Sequence, residues 1–297
     1  MKYIKLKGLG VALITPFKED MSVDYEALMR LVDYQLKNDT DFLCVLGTTA
    51  ETPTLTKEEQ RRITRMVVDR VGGRIPILRG VSDNCTQRVV DALRDDDFDG
   101  VDAILSVVPF YNKPNQEGIY QHYKAIAEST DLPIVLYNVP GRTGVNMTAD
   151  TTLRLARDFE NIIAVKEASG NIAQMDDIIK NKPDNFNVIS GDDGITFPLL
   201  TLGAVGVISV IGNAFPREFG RMVRLSMLGN YDDALPIHHR FAELFKLLFV
   251  DGNPAGVKAM LSMMGLIENK LRLPLVPTRI TTFEKMKKIL DDLDIRY

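Results

Sequence analysis

A chain of 297 residues with 45% hydrophobic and 26% charged residues can bury a large core, which argues against a disordered or membrane protein. The net charge of −4 arises from acidic and basic residues spread along the whole length, so no basic stripe marks a nucleic-acid partner and no polybasic tail marks a membrane surface. Only Cys44 and Cys85 occur, residues 1–10 carry three lysines but no apolar signal core, and no apolar run reaches the length of a membrane span. A reduced, cytoplasmic protein with small-molecule partners is expected.

In chain order, the first β-rich run falls at 11–17, and Asp24 is placed to cap the helix that follows. The second strand falls at 42–47. Thr56-Lys57-Glu58-Glu59 then reads as a capping box that opens a helix carrying Ile63, Met66 and Val67. Further strands are expected at 75–80, 103–108, 133–138, 162–168, 187–191 and 205–211, each followed by helical spacing. Their near-continuous apolar character means that both faces are covered, as in a parallel sheet under helices.

Eight such units at intervals of about 30 residues predict a (β/α)8 TIM barrel over 1–225. Beyond it the strand signals stop, and Phe241, Leu244, Phe245 and Leu248 fall at helical spacing, which predicts a small C-terminal α-helical domain over 226–297. A doubly wound open sheet shares the alternation but calls for a glycine-rich phosphate turn after an early strand. Gly8-Leu9-Gly10 precedes a strand instead, and Leu13 stands where the third glycine belongs.

Residues at the C-terminal ends of barrel strands face the active site. That rule collects Thr48 and Thr49, Tyr111, Tyr137 and Arg142, Lys166, and Gly191 to Asp193. Lys166 interrupts an apolar strand and, on period-two alternation, shares an inward face with Ile162, Ala164 and Ala168. Burial penalises the charged form of an amine and so supplies a neutral nucleophile for a ketone; the other reading is a structural ion pair with Glu167 or Asp192. Tyr137 sits one unit earlier at the same end, either as a proton relay or as a core tyrosine.

Gly47-Thr48-Thr49 is either a carboxylate-binding turn or a simple cap. Arg142 is either a bidentate carboxylate ligand or an exposed arginine, and Tyr111 reads first as loop packing or an oligomer contact. Of the three histidines, His122 is expected on a helix surface, and His238-His239 lacks the spacing of a metal pair. Neither a metal nor another cofactor is expected.

These residues resemble the 4-hydroxy-tetrahydrodipicolinate synthase family, among the pyruvate-dependent aldolase and lyase barrels. The resemblance runs through nearly the whole chain. It rests on Gly47-Thr48-Thr49-Ala50-Glu51, Pro109-Phe110-Tyr111-Asn112-Lys113-Pro114, Tyr137-Asn138-Val139-Pro140-Gly141-Arg142-Thr143-Gly144, Val165-Lys166-Glu167-Ala168-Ser169-Gly170, Ser190-Gly191-Asp192-Asp193 and Leu271-Arg272-Leu273-Pro274.

The resemblance implies that Lys166 forms an imine with pyruvate and that Tyr137 relays protons with Thr48 and Tyr111, the last reaching in from a neighbouring subunit. It also implies that Thr48 and Thr49 hold the pyruvate carboxylate and that Arg142 binds the carboxylate of L-aspartate semialdehyde. Gly191 and Ile208 line the pocket, in a homotetramer built from tight dimers. N-acetylneuraminate lyase and 2-keto-3-deoxy sugar acid aldolases share the lysine and tyrosine, but Arg142 and the double threonine favour the synthase. A barrel that only binds would not need Lys166, Tyr137 and Thr48 together.

Two departures stand out. Ala50 replaces a glycine usual in the family, so the turn there is expected to differ. Lys57, Gln60, Arg88 and Phe110 occupy positions where lysine-inhibited relatives typically offer histidines, a glutamate and a tyrosine, while Asn84 remains. Arg88 in place of an acid repels an ammonium, which predicts weak or absent feedback by lysine.

Overall fold

The computed structural model describes residues 6–293 and 295. The first half of the chain runs β1 (Gly8–Ala12), α1 (Tyr25–Lys37), β2 (Phe42–Val45), α2 (Lys57–Val71), β3 (Ile77–Gly80), α3 (Thr86–Asp95), β4 (Ala103–Val107) and α4 (Gln116–Ala127). It continues with β5 (Ile134–Asn138), the single-turn α5 (Pro140–Thr143), α6 (Ala149–Asp158), β6 (Ile162–Glu167), α7 (Ile172–Asn181), β7 (Asn187–Ser190), α8 (Asp193–Thr201), β8 (Gly206–Ser209) and α9 (Pro216–Met227). The strands close in sequence order into a barrel, all parallel, with β1 paired to β8. Three more helices follow: α10 (Tyr231–Val250), α11 (Ala255–Met263) and α12 (Ile280–Leu293). No described helix is long and apolar enough to cross a membrane.

The expected caps are in place. Asp24 accepts from the Ala27 amide at 2.9 Å, and Thr56 and Glu59 form the reciprocal capping box of α2. Phe241, Leu244, Phe245 and Leu248 form the buried row of α10, which packs on α8 and α9. Inward side chains of alternate strand residues fill the barrel, among them Ala12, Cys44, Leu78, Leu105, Val135, Ala164, Ile189 and Ile208.

Two strand readings need correction. The first strand is Gly8–Ala12 rather than 11–17, because glycine here meets a packing demand that looks like a loop in the sequence. A Cβ on Gly10 would lie 2.2 Å from the Phe42 ring, so the close approach of β1 to β2 requires glycine. In β6 the register shifts opposite Ile134 and Val135, which pair with Ile162 and Ala164. The irregularity turns Ile162 outward beneath the helices, while Ala164 and Lys166 keep the inward face.

His122 is buried, not exposed. Ile119, His122, Tyr123 and Ile126 form one i, i+3, i+4, i+7 face of α4, and the His122 Nδ1 lies 2.9 Å from Thr86 Oγ1. Burial pushes its imidazole down to about 4. The unfolded chain therefore takes up a proton below about pH 6.5 that the folded histidine resists, and stability is lost as pH falls from there towards 4. Asp193, raised by burial to about 6, acts with the opposite sign. Between pH 7 and 5 the wild type should lose about 2 kcal/mol relative to His122→Gln, a comparison in which the Asp193 contribution cancels. Denaturant midpoints that stay parallel across that range would rule this out.

Candidate active site

At the C-terminal end of β5 and β6, Tyr137 pairs with Lys166 across the sheet and both side chains enter the barrel. The Lys166 Nζ lies 4.4 Å from the centre of the Tyr137 ring. Each residue is 6% exposed, so the two are enclosed yet still touched by solvent. Among the described residues no carboxylate forms a salt bridge with Lys166. The two acids considered as structural partners are engaged elsewhere. Glu167 points to the outer face and accepts from Asn138 Nδ2 at 3.1 Å, the Ser169 amide at 2.8 Å and Gln174 Nε2 at 3.0 Å. Asp192 caps α8 through the Gly194 amide at 2.8 Å. The Cys44 thiol, in the same interior, is pushed up to about 11 by burial, with the Lys166 charge opposing, and stays protonated at neutral pH.

Gly191 packs on Lys166. A Cβ there would stand 2.7 Å from the Ala168 Cβ and 3.1 Å from the Lys166 Cε, so a side chain forces a local shift at Ala168 and presses on the end of the lysine. On the expected imine chemistry, Gly191→Ala should lower the rate of keto-acid capture at Lys166 by roughly tenfold or more, because a small misplacement of a reacting atom is costly. Capture at the wild-type rate would show that the lysine has room to yield.

After β2, Gly47 leads into a 3-10 turn over Thr48–Ala50, whose opening amides have no intrahelical carbonyl to bond. Ala50 fits this turn without strain, since the left-handed φ values fall on Leu46 (55°) and Glu51 (56°). Buried Glu51 pairs with buried Lys258 and accepts the Arg272 amide at 3.0 Å, while Thr49 accepts Asn253 Nδ2 at 3.0 Å. The C-terminal helices thus reach the rim of the barrel.

Arg142 stands on α5, started by Pro140 and closed by Gly144 at φ 76°; it is exposed and makes no salt bridge among the described residues. Ile208 faces inward from β8. Tyr111 is not packed with the others: it is 88% exposed and held at φ 72°. Asp193 also departs from the expected convergence. It is buried and accepts the Val210 and Ile211 amides at 3.0 and 2.8 Å, fixing the segment that follows β8. The sequence offers no role for Asn253 and Lys258, because an isolated polar residue with no partner at a regular spacing carries no periodic signal.

Fold and mouth together define a (β/α)8-barrel protein of the enzyme type, with its polar groups gathered where strands end and helices begin. The chain belongs to the dihydrodipicolinate synthetase family, whose model matches residues 5–293. It is 79% identical over 292 residues to a 4-hydroxy-tetrahydrodipicolinate synthase of Phocaeicola vulgatus, with 98% of each chain covered. Among solved structures, dihydrodipicolinate synthase from Aquifex aeolicus superposes with a TM-score of 0.94 at 42% identity, over 97% of this chain and 98% of that one. The chloride-inhibited enzyme from Acinetobacter baumannii, complexed with pyruvate, gives a TM-score of 0.94 at 38% identity, over 98% and 100%.

Proposed function

We propose that this protein condenses pyruvate with L-aspartate 4-semialdehyde through an imine on Lys166, giving (S)-4-hydroxy-2,3,4,5-tetrahydrodipicolinate on the route to diaminopimelate and lysine. The observation that carries the reading is the Lys166 amine, free of any described carboxylate and seated against Tyr137 inside the barrel. The amine attacks the pyruvate ketone carbon and water departs. Loss of a methyl proton then gives an enamine whose carbon attacks the aldehyde. The amino group of the semialdehyde next displaces the Lys166 nitrogen as the ring closes, which frees the enzyme.

In this scheme Tyr137 relays protons together with Thr48 and Tyr111, and no histidine stands at the strand ends to do so. Thr48 and Thr49 hold the pyruvate carboxylate, Arg142, which has no salt-bridge partner among the described residues, binds that of the semialdehyde, and Gly191 and Ile208 line the pocket. Arg142, together with the 79% identical synthase, favours this reaction over the sugar-acid lyases. Exposed Tyr111 suits delivery into the mouth of a second copy, consistent with a homotetramer of tight dimers. The free thiols Cys44 and Cys85 suit a reducing cytoplasm.

Incubation with pyruvate and borohydride should add mass at Lys166, and semialdehyde should then be consumed. No increment defeats the imine, whereas trapping without semialdehyde consumption transfers the case to the lyases. L-lysine should inhibit turnover weakly or not at all. Exposed Arg88 is paired only loosely with Asp83, at 3.4 Å, and Gln60 spends its amide on the Thr52 and Leu55 carbonyls. Ordinary inhibition in a turnover assay is the contrary result.

A further inference from the structure

We infer that Asn253, in the turn between α10 and α11, is a positioning residue that turns the Thr49 hydroxyl into a donor for the keto-acid carboxylate. The inference rests on the reading of Thr49 as a carboxylate ligand. Asn253 is 6% exposed, and its Nδ2 donates to Thr49 Oγ1 at 3.0 Å. A threonine hydroxyl has one proton and two lone pairs. With one lone pair taken by the asparagine amide, the proton is left to point elsewhere, and Thr49 donates its hydroxyl to no described protein group. An anion beside the turn is the partner that this arrangement suits.

The same layer of the molecule holds the turn from its other end. Glu51, two residues on, is gripped by the Lys258 ammonium and the Arg272 amide, and Lys258 also donates to the Lys270 carbonyl at 2.9 Å. Backbone freedom is therefore removed at Glu51 and hydroxyl freedom at Thr49, both by the C-terminal segment. The Oδ1 of Asn253 finds no described protein partner, so the side chain acts through its contact with Thr49 and not as a two-ended clamp.

The test uses the full chain and reads borohydride capture at Lys166 against pyruvate concentration. Asn253→Ala should raise the half-saturating pyruvate by about fivefold, the loss of one oriented hydrogen bond, and leave the limiting capture rate within about twofold. In a Thr49→Val background the same substitution should add less than about twofold, because its effect travels through that hydroxyl. Asn253→Asp, nearly isosteric, places an acceptor and a charge there and should raise half-saturation further. Unchanged half-saturation in Asn253→Ala or Asn253→Asp, or effects of Asn253→Ala and Thr49→Val that simply multiply, overturn the inference. A wild type that captures no pyruvate overturns the Lys166 reading itself, and this one with it.

Discussion

Lys166→Ala should lose at least about a thousandfold in turnover while keeping its fold, since the proposed covalent route runs through that one amine. Among the described residues no second amine is placed to substitute. Lys258 is committed to Glu51 and the Lys270 carbonyl, and Lys113 lies exposed in the loop after β4. Removal of Lys166 leaves no described acid stranded, because Glu167 keeps its own donors on the outer face. The variant should therefore unfold within a few degrees of the wild type, unlike a lysine taken from a buried ion pair. Borohydride in the presence of pyruvate should add nothing to the variant. A retained adduct, or turnover within tenfold of wild type, would place the imine on another residue.

Much of this architecture is legible before any coordinates. Eight apolar runs at a regular interval identify the barrel, since a parallel strand covered on both faces has no polar side to hide the pattern. The capping box at Thr56 and the buried row of α10 follow from spacing alone. What escapes is set by packing between distant segments. Gly8 and Gly10 look like a turn, and only Asp41 beside the first and the Phe42 ring beside the second show why a strand carries them. The shift in β6 cannot be counted from period-two alternation, yet it decides that Ile162 faces out while Lys166 faces in.

The site divides along the same line. Lys166 and Tyr137 are visible as polar intrusions at strand ends, and their pairing across β5 and β6 follows from adjacency. Asn253 lies 204 residues from Thr49, and Glu51 and Lys258 read as unrelated charges, so no local pattern joins them. Asp193 shows the reverse case. Its place after a strand resembles that of a mouth residue, but the amides of Val210 and Ile211 claim it.

The Lys258–Glu51 pair carries the largest expected effect on stability. Both side chains are fully buried, and the Lys258 Nζ also lies 4.1 Å from the centre of the Phe17 ring. Burial pushes the Lys258 ammonium down and the Glu51 charge opposes it, so the lysine depends on its partner to remain charged. Lys258→Met strands the Glu51 carboxylate in the interior and should cost about 3–5 kcal/mol, lowering Tm by roughly 10 °C. Adding Glu51→Gln to Lys258→Met removes the stranded charge and should restore much of that loss. Because Glu51 holds a left-handed φ two residues beyond Thr49, the double variant should recover stability before it recovers pyruvate affinity. Thermal melts that fall equally for single and double variants would mean that packing around Phe17, not the buried charge, sets the cost.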